Sequence, residues 1–367
     1  MKYFGPKFLI NLNQLSSNYD LIKSRIDNCD IMATVKANAY GHGAIQIAKT
    51  LEKKNVRYLA VFTLDEAIEL RNAGIKSNIF IYSRLTIESL KIASKLNLTL
   101  NISSFDDLNF LKNNDSENVK VHLKFDTGMT RLGVDAYRAK EFLSEISKVR
   151  NVNIEGIYSH FSTADEGDLS YANKQLNLFN QVIVIAKSLN IIPTFIHCSN
   201  SGAILNLPAS RFNLVRVGML LYGSYPSDEV PKDLNIKPVM SFTAPVVEIR
   251  NVLKGTQISY GGVYATTKDT QIAVVQAGFA DGVPRPWFEK GYVLFKNQKL
   301  KITGRICMDQ LMIDVGEKSI QYGDEVLIFG ISEDHGEINL NEISDSINST
   351  PYVLMTAVGQ RPKRIYY

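Results

Sequence analysis

Between residues 30 and 222, short apolar runs alternate with amphipathic stretches of helical period, and the alternation repeats eight times. The apolar runs cover residues 30–36, 58–62, 78–82, 98–102, 119–126, 154–160, 195–199 and 214–222. The stretches between them carry helix start and stop signals. In residues 63–74, Thr63 is a cap, Glu66 follows three residues later, and Gly74 ends the periodic run. Eight strand–helix units of this kind predict a parallel (β/α)₈ barrel of TIM type, whose active residues gather at the carboxyl ends of the strands.

After Pro226 the pattern changes to closely spaced strands with turn residues, at 240–252, 257–264, 271–277, 292–295, 299–306 and 325–331. This predicts a smaller, mostly-β second domain over residues 232–367, following a barrel at 13–225. The segment 225–231, with Pro226 and Pro231 among polar residues, suits the crossing between them. An initial strand within residues 1–12 is expected to pair with the β domain.

Composition narrows the function. The chain has 367 residues, of which 45% are hydrophobic and 21% charged, an ordinary globular balance. A net charge of +4 from 41 basic and 37 acidic residues is too small and too dispersed to predict nucleic acid or an anionic membrane as partner. No stretch approaches the roughly 18 apolar residues of a membrane span. The opening Met-Lys-Tyr-Phe-Gly-Pro-Lys breaks any apolar signal region. Cys29, Cys198 and Cys307 are an odd number at wide spacings, which suits a reducing compartment, so a cytoplasmic location is expected. The five histidines form no HExxH-type pair, and no metal is expected.

The first apolar run ends on an amine, Lys36, just before a glycine-containing turn. A lone lysine at a strand end is usually a solvated charge, but one held partly desolvated becomes a nucleophile or Schiff-base former. The run Val35-Lys36-Ala37-Asn38-Ala39-Tyr40-Gly41-His42-Gly43 resembles the pyridoxal 5'-phosphate attachment site of alanine racemases. The resemblance implies that Lys36 carries the cofactor as a Schiff base and that Tyr40 reaches its phosphate.

Further motifs extend the resemblance almost to the end of the chain. Lys124-Phe125-Asp126-Thr127-Gly128-Met129-Thr130-Arg131-Leu132-Gly133 is similar to a second racemase segment. It implies that Arg131 contacts the cofactor's phenolic oxygen and the substrate carboxylate, with Lys124 a candidate for carbamylation beside it. A guanidinium suits carboxylate because its fork donates two parallel hydrogen bonds. In the run 197–203, Asn200 and Ser201 are candidates for the cofactor site, and Gly218 and Met219 offer backbone N–H groups to the phosphate. Alone, a serine after a strand is more often a helix cap. Tyr352 completes the cradle by resemblance, although Val353 follows it where the family usually has glutamate.

Arg216 is the most discriminating residue. A permanently charged guanidinium against the pyridine nitrogen disfavours a second positive charge there, so the ring stays a modest electron sink suited to proton exchange at one carbon. In isolation, His160 on an apolar strand reads as a core side chain, but in racemases the matching histidine links this arginine to the catalytic tyrosine. That tyrosine matches Tyr260, which by resemblance removes the proton of the L substrate in the partner subunit's site, while Lys36 removes that of the D substrate. The run 304–314 is similar to the family's β-domain signature, and the Met308 N–H is the implied donor to the substrate carboxylate. Cys307 has no evident base, so packing is its expected role. Phe279 stands where the family often has tyrosine, near the substrate's access route.

The resemblance thus implies a homodimeric enzyme that interconverts L- and D-alanine and supplies D-alanine for peptidoglycan. Alternatives are a broad-specificity or serine/lysine racemase of the same fold and a non-catalytic cofactor carrier. Carriers of that kind lack the β domain, and Tyr260 and Met308 argue against one. Arg216 and the missing ligand cluster argue against decarboxylase or D-threonine aldolase chemistry.

Overall fold

A computed structural model describes residues 3–114 and 118–367. The first two residues of the expected N-terminal segment lie outside the described residues. The chain divides into two compact units, one of Ser16–Ala39 and Ala44–Ile236, the other of Met1–Leu15, Tyr40–Gly43 and Lys237–Tyr367.

The first unit is a parallel barrel of the strands Asp30–Thr34, Tyr58–Val61, Asn78–Ile81, Leu98–Ile102, Val119–Asp126, Val152–Tyr158, Phe195–His197 and Leu214–Val217. Successive strands pair up to the seventh, and the eighth returns to the first with Arg216 opposite Met32. Between the seventh and eighth strands the seam is closed by the Arg216 N–H, which donates to the Ser199 carbonyl at 2.9 Å. The Asn213 side chain also spans it, accepting from the Ile196 N–H at 2.8 Å and donating to the Thr194 carbonyl at 2.7 Å.

The strands follow from residues that want no contact with water. Tyr58–Val61 and Leu98–Ile102 are buried at every position, as expected of strands covered on both faces. Met32, Tyr58, Phe80, Tyr158, Phe195 and Leu214 pack together as the barrel's core. The helix Ala44–Lys53 buries Ala44, Ile47, Ala48 and Leu51, one stripe at helical spacing. The helix Leu64–Asn72 starts as the sequence predicts: Thr63 accepts from the Glu66 N–H, and Glu66 reciprocates on the Thr63 N–H.

The eighth apolar run is not one strand. Leu214–Val217 is extended, but Gly218 takes φ −122° and ψ −92°, and Met219–Tyr222 winds into a 3₁₀ turn. Tyr222 is thereby placed to donate to the Thr34 carbonyl at 2.8 Å.

The second unit is mostly β, built on Met240–Val252. That strand pairs antiparallel with Lys7–Ile10 and with Glu325–Ser332 over its first half. From Val246 onward it pairs with Thr270–Val275, with a bulge between Val246 and Glu248. Lys7–Ile10 also pairs, in parallel, with Lys363–Tyr366. Phe8, Phe242 and Phe329 interlock beneath the sheet, the closest ring pair being 4.6 Å apart.

Two expected strands are broken by positive φ angles. Gln257–Ile258 stops at Ser259, φ 64°, and the chain runs through a 3₁₀ turn at Tyr260–Gly262 before Tyr264–Ala265. Gln298–Lys301 ends short of Gly304, φ 76°. Among the described residues no helix is long and apolar enough to cross a membrane.

Candidate active site

Lys36 stands where the first barrel strand ends, followed by a left-handed turn. Ala37, Asn38 and Ala39 take φ 52°, 53° and 54°, and Tyr40 takes φ 50°. Left-handed backbone is unfavourable by roughly 1–2 kcal/mol per L-residue, so the turn needs support. The Ala37 N–H donates to Glu66 Oε1 at 2.6 Å, the Ala39 N–H to the Val35 carbonyl at 2.8 Å, and Asn38 Oδ1 accepts from the Ala44 N–H at 2.8 Å. Glu66 therefore serves both its own helix start and the turn beside Lys36. The Lys36 ammonium lies 5.6 Å from the centre of the Tyr82 ring. Burial, and then the charge of Arg131, hold the amine below the usual lysine range, with Glu66 opposing.

The fifth strand delivers Lys124, which is 7% exposed and 5.6 Å above the Tyr158 ring. Burial, then Arg131, Arg216 and Lys36, bring its amine down to about 7 against the pull of Asp126. Asp126 Oδ1 accepts from the backbone N–H groups of Gly128, Met129 and Thr130 at 2.9, 3.0 and 3.1 Å. This carboxylate knots the loop, and Arg131 leaves it with an exposed side chain.

Arg216, on the eighth strand, is 4% exposed. Its Nη1 donates to His197 Nδ1 at 2.8 Å, and its Nη2 to His160 Nδ1 at 2.9 Å and to the Ser159 carbonyl at 2.7 Å. Burial and the surrounding cations push both histidines well below 6.5, so they are neutral. Nearby, Asn200 caps Ser201–Asn206 by accepting from the Ala203 N–H at 2.9 Å, which commits its side-chain oxygen. Ser201 Oγ accepts from the Gly218 N–H at 3.3 Å, joining the turns after the seventh and eighth strands, and Met219 opens the 3₁₀ turn beside them.

The second unit holds Tyr40, Tyr260, Met308 and Tyr352. Tyr260 is 68% exposed, and the residue before it, Ser259, has φ 64° and ψ −174°, a conformation otherwise left to glycine. Ser259 is held there by its Oγ, which donates to the Arg305 carbonyl at 2.6 Å. Met308 is exposed on a loop whose Cys307 and Met308 carbonyls accept from the Phe279 and Ala280 N–H groups, both at 3.0 Å. Position 278 must be glycine for this approach, since a Cβ would lie 2.2 Å from the Met308 oxygen. Arg361 bridges the buried Asp281 and Asp309. Tyr352 is exposed on Pro351–Thr356, and Tyr40 is half-buried with its carbonyl facing His42 Nδ1 at 2.9 Å.

The barrel unit thus carries Lys36, Lys124, Arg131, His160, Asn200, Ser201, Arg216, Gly218 and Met219 at the ends of several strands, while the second unit carries Tyr40, Tyr260, Met308 and Tyr352. Sequence reasoning missed Glu66 as the brace of the Lys36 turn and His197 as a partner of Arg216. The Glu66 capping box is visible in the sequence, but its second use depends on a contact 29 residues away. Among the described residues, no group of three or more His, Cys, Asp or Glu side chains could hold a metal ion.

Comparison with known proteins follows this division. Residues 10–226 match the family described as alanine racemase, N-terminal domain, and residues 239–366 match alanine racemase, C-terminal domain. The chain is 38% identical to an alanine racemase of Desulforamulus reducens, covering 97% of each chain. It is 37% identical to alanine racemase 2 of Caldanaerobacter subterraneus subsp. tengcongensis, over 97% of this chain and 93% of the relative. Among solved structures, alanine racemase of Clostridium difficile 630 superposes with a TM-score of 0.92 at 35% identity, covering 100% of this chain and 97% of the other. The enzyme from D-cycloserine producing Streptomyces lavendulae gives 0.94 at 30% identity, covering 100% and 98%.

Proposed function

The chain belongs to the alanine racemase family, and we propose that its interconversion of L- and D-alanine runs on pyridoxal 5'-phosphate held at Lys36, with Lys36 and Tyr260 as the two bases. The observation that carries this reading is the buried Arg216, bonded on one side to His160 and on the other to His197, at the same barrel end as Lys36.

The donor set fits the cofactor. Lys36 offers an amine of lowered basicity, Ser201 offers a hydroxyl joined to the turn at Gly218, and the permanently charged Arg131 and Arg216 make the site cationic. Such a site suits a phosphorylated, anionic ligand. When bound, the cofactor supplies an electron sink that acidifies the α-proton of alanine.

The chain's own residues supply the rest. Lys36 would hold the cofactor through its amine and would exchange a proton on the face used by D-alanine. Tyr260 of a second subunit does so on the opposite face, which requires a homodimer with shared sites; the exposure of Tyr260 and Met308 supports that arrangement. Arg131 and the Met308 N–H orient the substrate carboxylate. Arg216 would face the cofactor's pyridine nitrogen and disfavour a second positive charge there, and neutral His160 would connect Arg216 to Tyr260. Tyr40, Tyr352, Asn200, Ser201, Gly218 and Met219 would hold the phosphate. Placement in the cytoplasm and supply of D-alanine to peptidoglycan complete the reading.

The test is α-deuterium incorporation into a panel of L-amino acids in heavy water, with chiral analysis, using protein loaded with pyridoxal phosphate. Exchange with inversion confined to alanine supports the proposal. Exchange with other amino acids points to a broad racemase, and bound cofactor without exchange points to a carrier.

A further inference from the structure

Arg216 belongs to a row of imidazoles longer than the reaction uses. A guanidinium has donors and no acceptor, so His197 Nδ1 and His160 Nδ1, at 2.8 and 2.9 Å from it, must each offer a lone pair. Both rings then carry their proton on Nε2. The His197 Nε2–H donates in turn to His122 Nδ1, 2.9 Å away. His122 must accept there, so its own proton falls on Nε2, which is buried without a hydrogen-bond partner.

The row therefore runs one way, outward from Arg216 to His160 on one side and through His197 to His122 on the other. A second proton on any ring would add a cation to a cationic neighbourhood. His160 faces Arg216, Arg131, Lys124 and Lys36; His197 faces Arg216 and His122; His122 faces Arg216.

Packing fixes the planes of the rings, and the hydrogen bonds to Arg216 and along the row set which nitrogen faces which. His197 lies flat on Tyr158, with centres 4.8 Å apart and planes 5° apart, and Tyr158 is fixed by its hydroxyl donating to Asn101 Oδ1 at 2.8 Å. His122 stacks on Phe80 at 4.9 Å. Gly156 leaves it room, since a Cβ there would come within 2.6 Å of the imidazole. A wholly buried histidine with one unpaired nitrogen is unfavourable in itself, and its other nitrogen does something no apolar residue can, which is to terminate the row on an acceptor.

We propose that His122 is a positioning residue for racemisation: through His197 it seats the Arg216 fork so that the second guanidinium nitrogen reaches His160 Nδ1 and leaves the His160 Nε2–H free to be presented as a donor. The proposal rests on the reading of Arg216 and His160 given above. Its first test does not need turnover. In holoenzyme labelled with ¹⁵N-histidine, nitrogen shifts should show His122, His160 and His197 neutral and protonated on Nε2 from about pH 5.5 to 8.5, across the range where free histidine titrates. A proton on Nδ1 of His122 or His197, or titration of any of the three near the free value, overturns the row.

The second test separates seating from packing. His122→Leu removes the acceptor at similar volume, and His122→Asn returns one, with Oδ1 near the position of Nδ1. The leucine variant should lower kcat for alanine by ~10- to 100-fold, as a small misplacement of a reacting group does, with KM little changed and the cofactor's visible absorption altered in its pH dependence. The asparagine variant should recover most of the rate and the wild-type spectrum. Leucine and asparagine variants that behave alike overturn the proposal, whether both are active or both impaired. If the leucine variant does not fold, the asparagine variant and the nitrogen shifts of the wild type decide. Wild-type protein showing the predicted tautomers without racemising would overturn the reaction assigned to the site and leave the row standing.

Discussion

The two units hold their candidate residues in opposite ways. In the barrel, Arg216 and Lys124 are 4% and 7% exposed, and hydrogen bonds or neighbouring charges set their state within the chain itself. In the β unit, Tyr260, Met308 and Tyr352 are 68%, 55% and 44% exposed, and only the backbone beneath them is constrained. The barrel side is prepared electrostatically in a single chain. The β side is prepared in position alone and leaves its environment to whatever covers it.

The sharpest division should appear between Lys36 and Tyr260. Lys36→Ala should abolish the cofactor's visible band, at about 420 nm for a lysine Schiff base, together with racemisation; a retained band would undo the assignment. Tyr260→Phe should keep that band and lower racemisation by about 10²- to 10⁴-fold, the range of one acid–base group. Single-turnover α-proton exchange from L-alanine should suffer most, with exchange from D-alanine largely preserved. Equal loss from both enantiomers would contradict the assignment of one base to each face.

Gly278→Ala probes the positional constraint of the β side. The new methyl would meet the Met308 carbonyl, and displacing that loop should lower stability by about 1–3 kcal/mol, seen as a reduced denaturation midpoint with a raised KM for alanine. An unchanged midpoint and KM would mean that the loop yields freely. Lys124 probes the electrostatic side. With its amine brought down to about 7, the ammonium that cannot attack carbon dioxide gives way to the neutral amine as pH rises through that value. A carbamate carbonyl signal from ¹³C-bicarbonate should therefore grow between about pH 6 and 8 and be absent in Lys124→Met. The same lowered pKa makes protonation of Lys124 oppose folding, so its contribution to stability improves as pH rises from about 7 towards the free-lysine range. Thr63→Val, which removes a helix cap and leaves the Glu66 carboxylate that braces the Lys36 turn in place, should cost about 1 kcal/mol and leave kcat unchanged; a fall in kcat would show that the Glu66 brace depends on its cap.

The same contrast separates what is legible in the amino-acid sequence from what is not. The barrel is legible because short runs rich in apolar residues alternate with helical stretches, some of which carry their own cap, as at Thr63 and Glu66. Lys36, Arg131 and Arg216 are legible because motif residues flank them in the chain. The left-handed turn is not, since alanine has no local preference for φ near +50° and the stabilising bonds come from Glu66 and Ala44. Nor is the 3₁₀ turn at Met219–Tyr222, whose side chains are as apolar as those of the strand before it. His122 and His197 lie 75 residues apart and read singly as core histidines; only the closing of the barrel makes them neighbours.

The turn after Lys36 has a stereochemical consequence of its own. Its backbone has the handedness that a D-amino acid adopts without strain and an L-amino acid resists. Ala37 is exposed and Ala39 buried, so the two positions differ in how a mirror-image residue would be received. In a semisynthetic chain, D-alanine would relax the turn at the exposed position 37, whereas at position 39 the same exchange would redirect a methyl inside packed surroundings. A chain that handles both enantiomers of alanine as substrates thus contains, beside its reactive lysine, an alanine of its own whose backbone would be more at ease in the other hand.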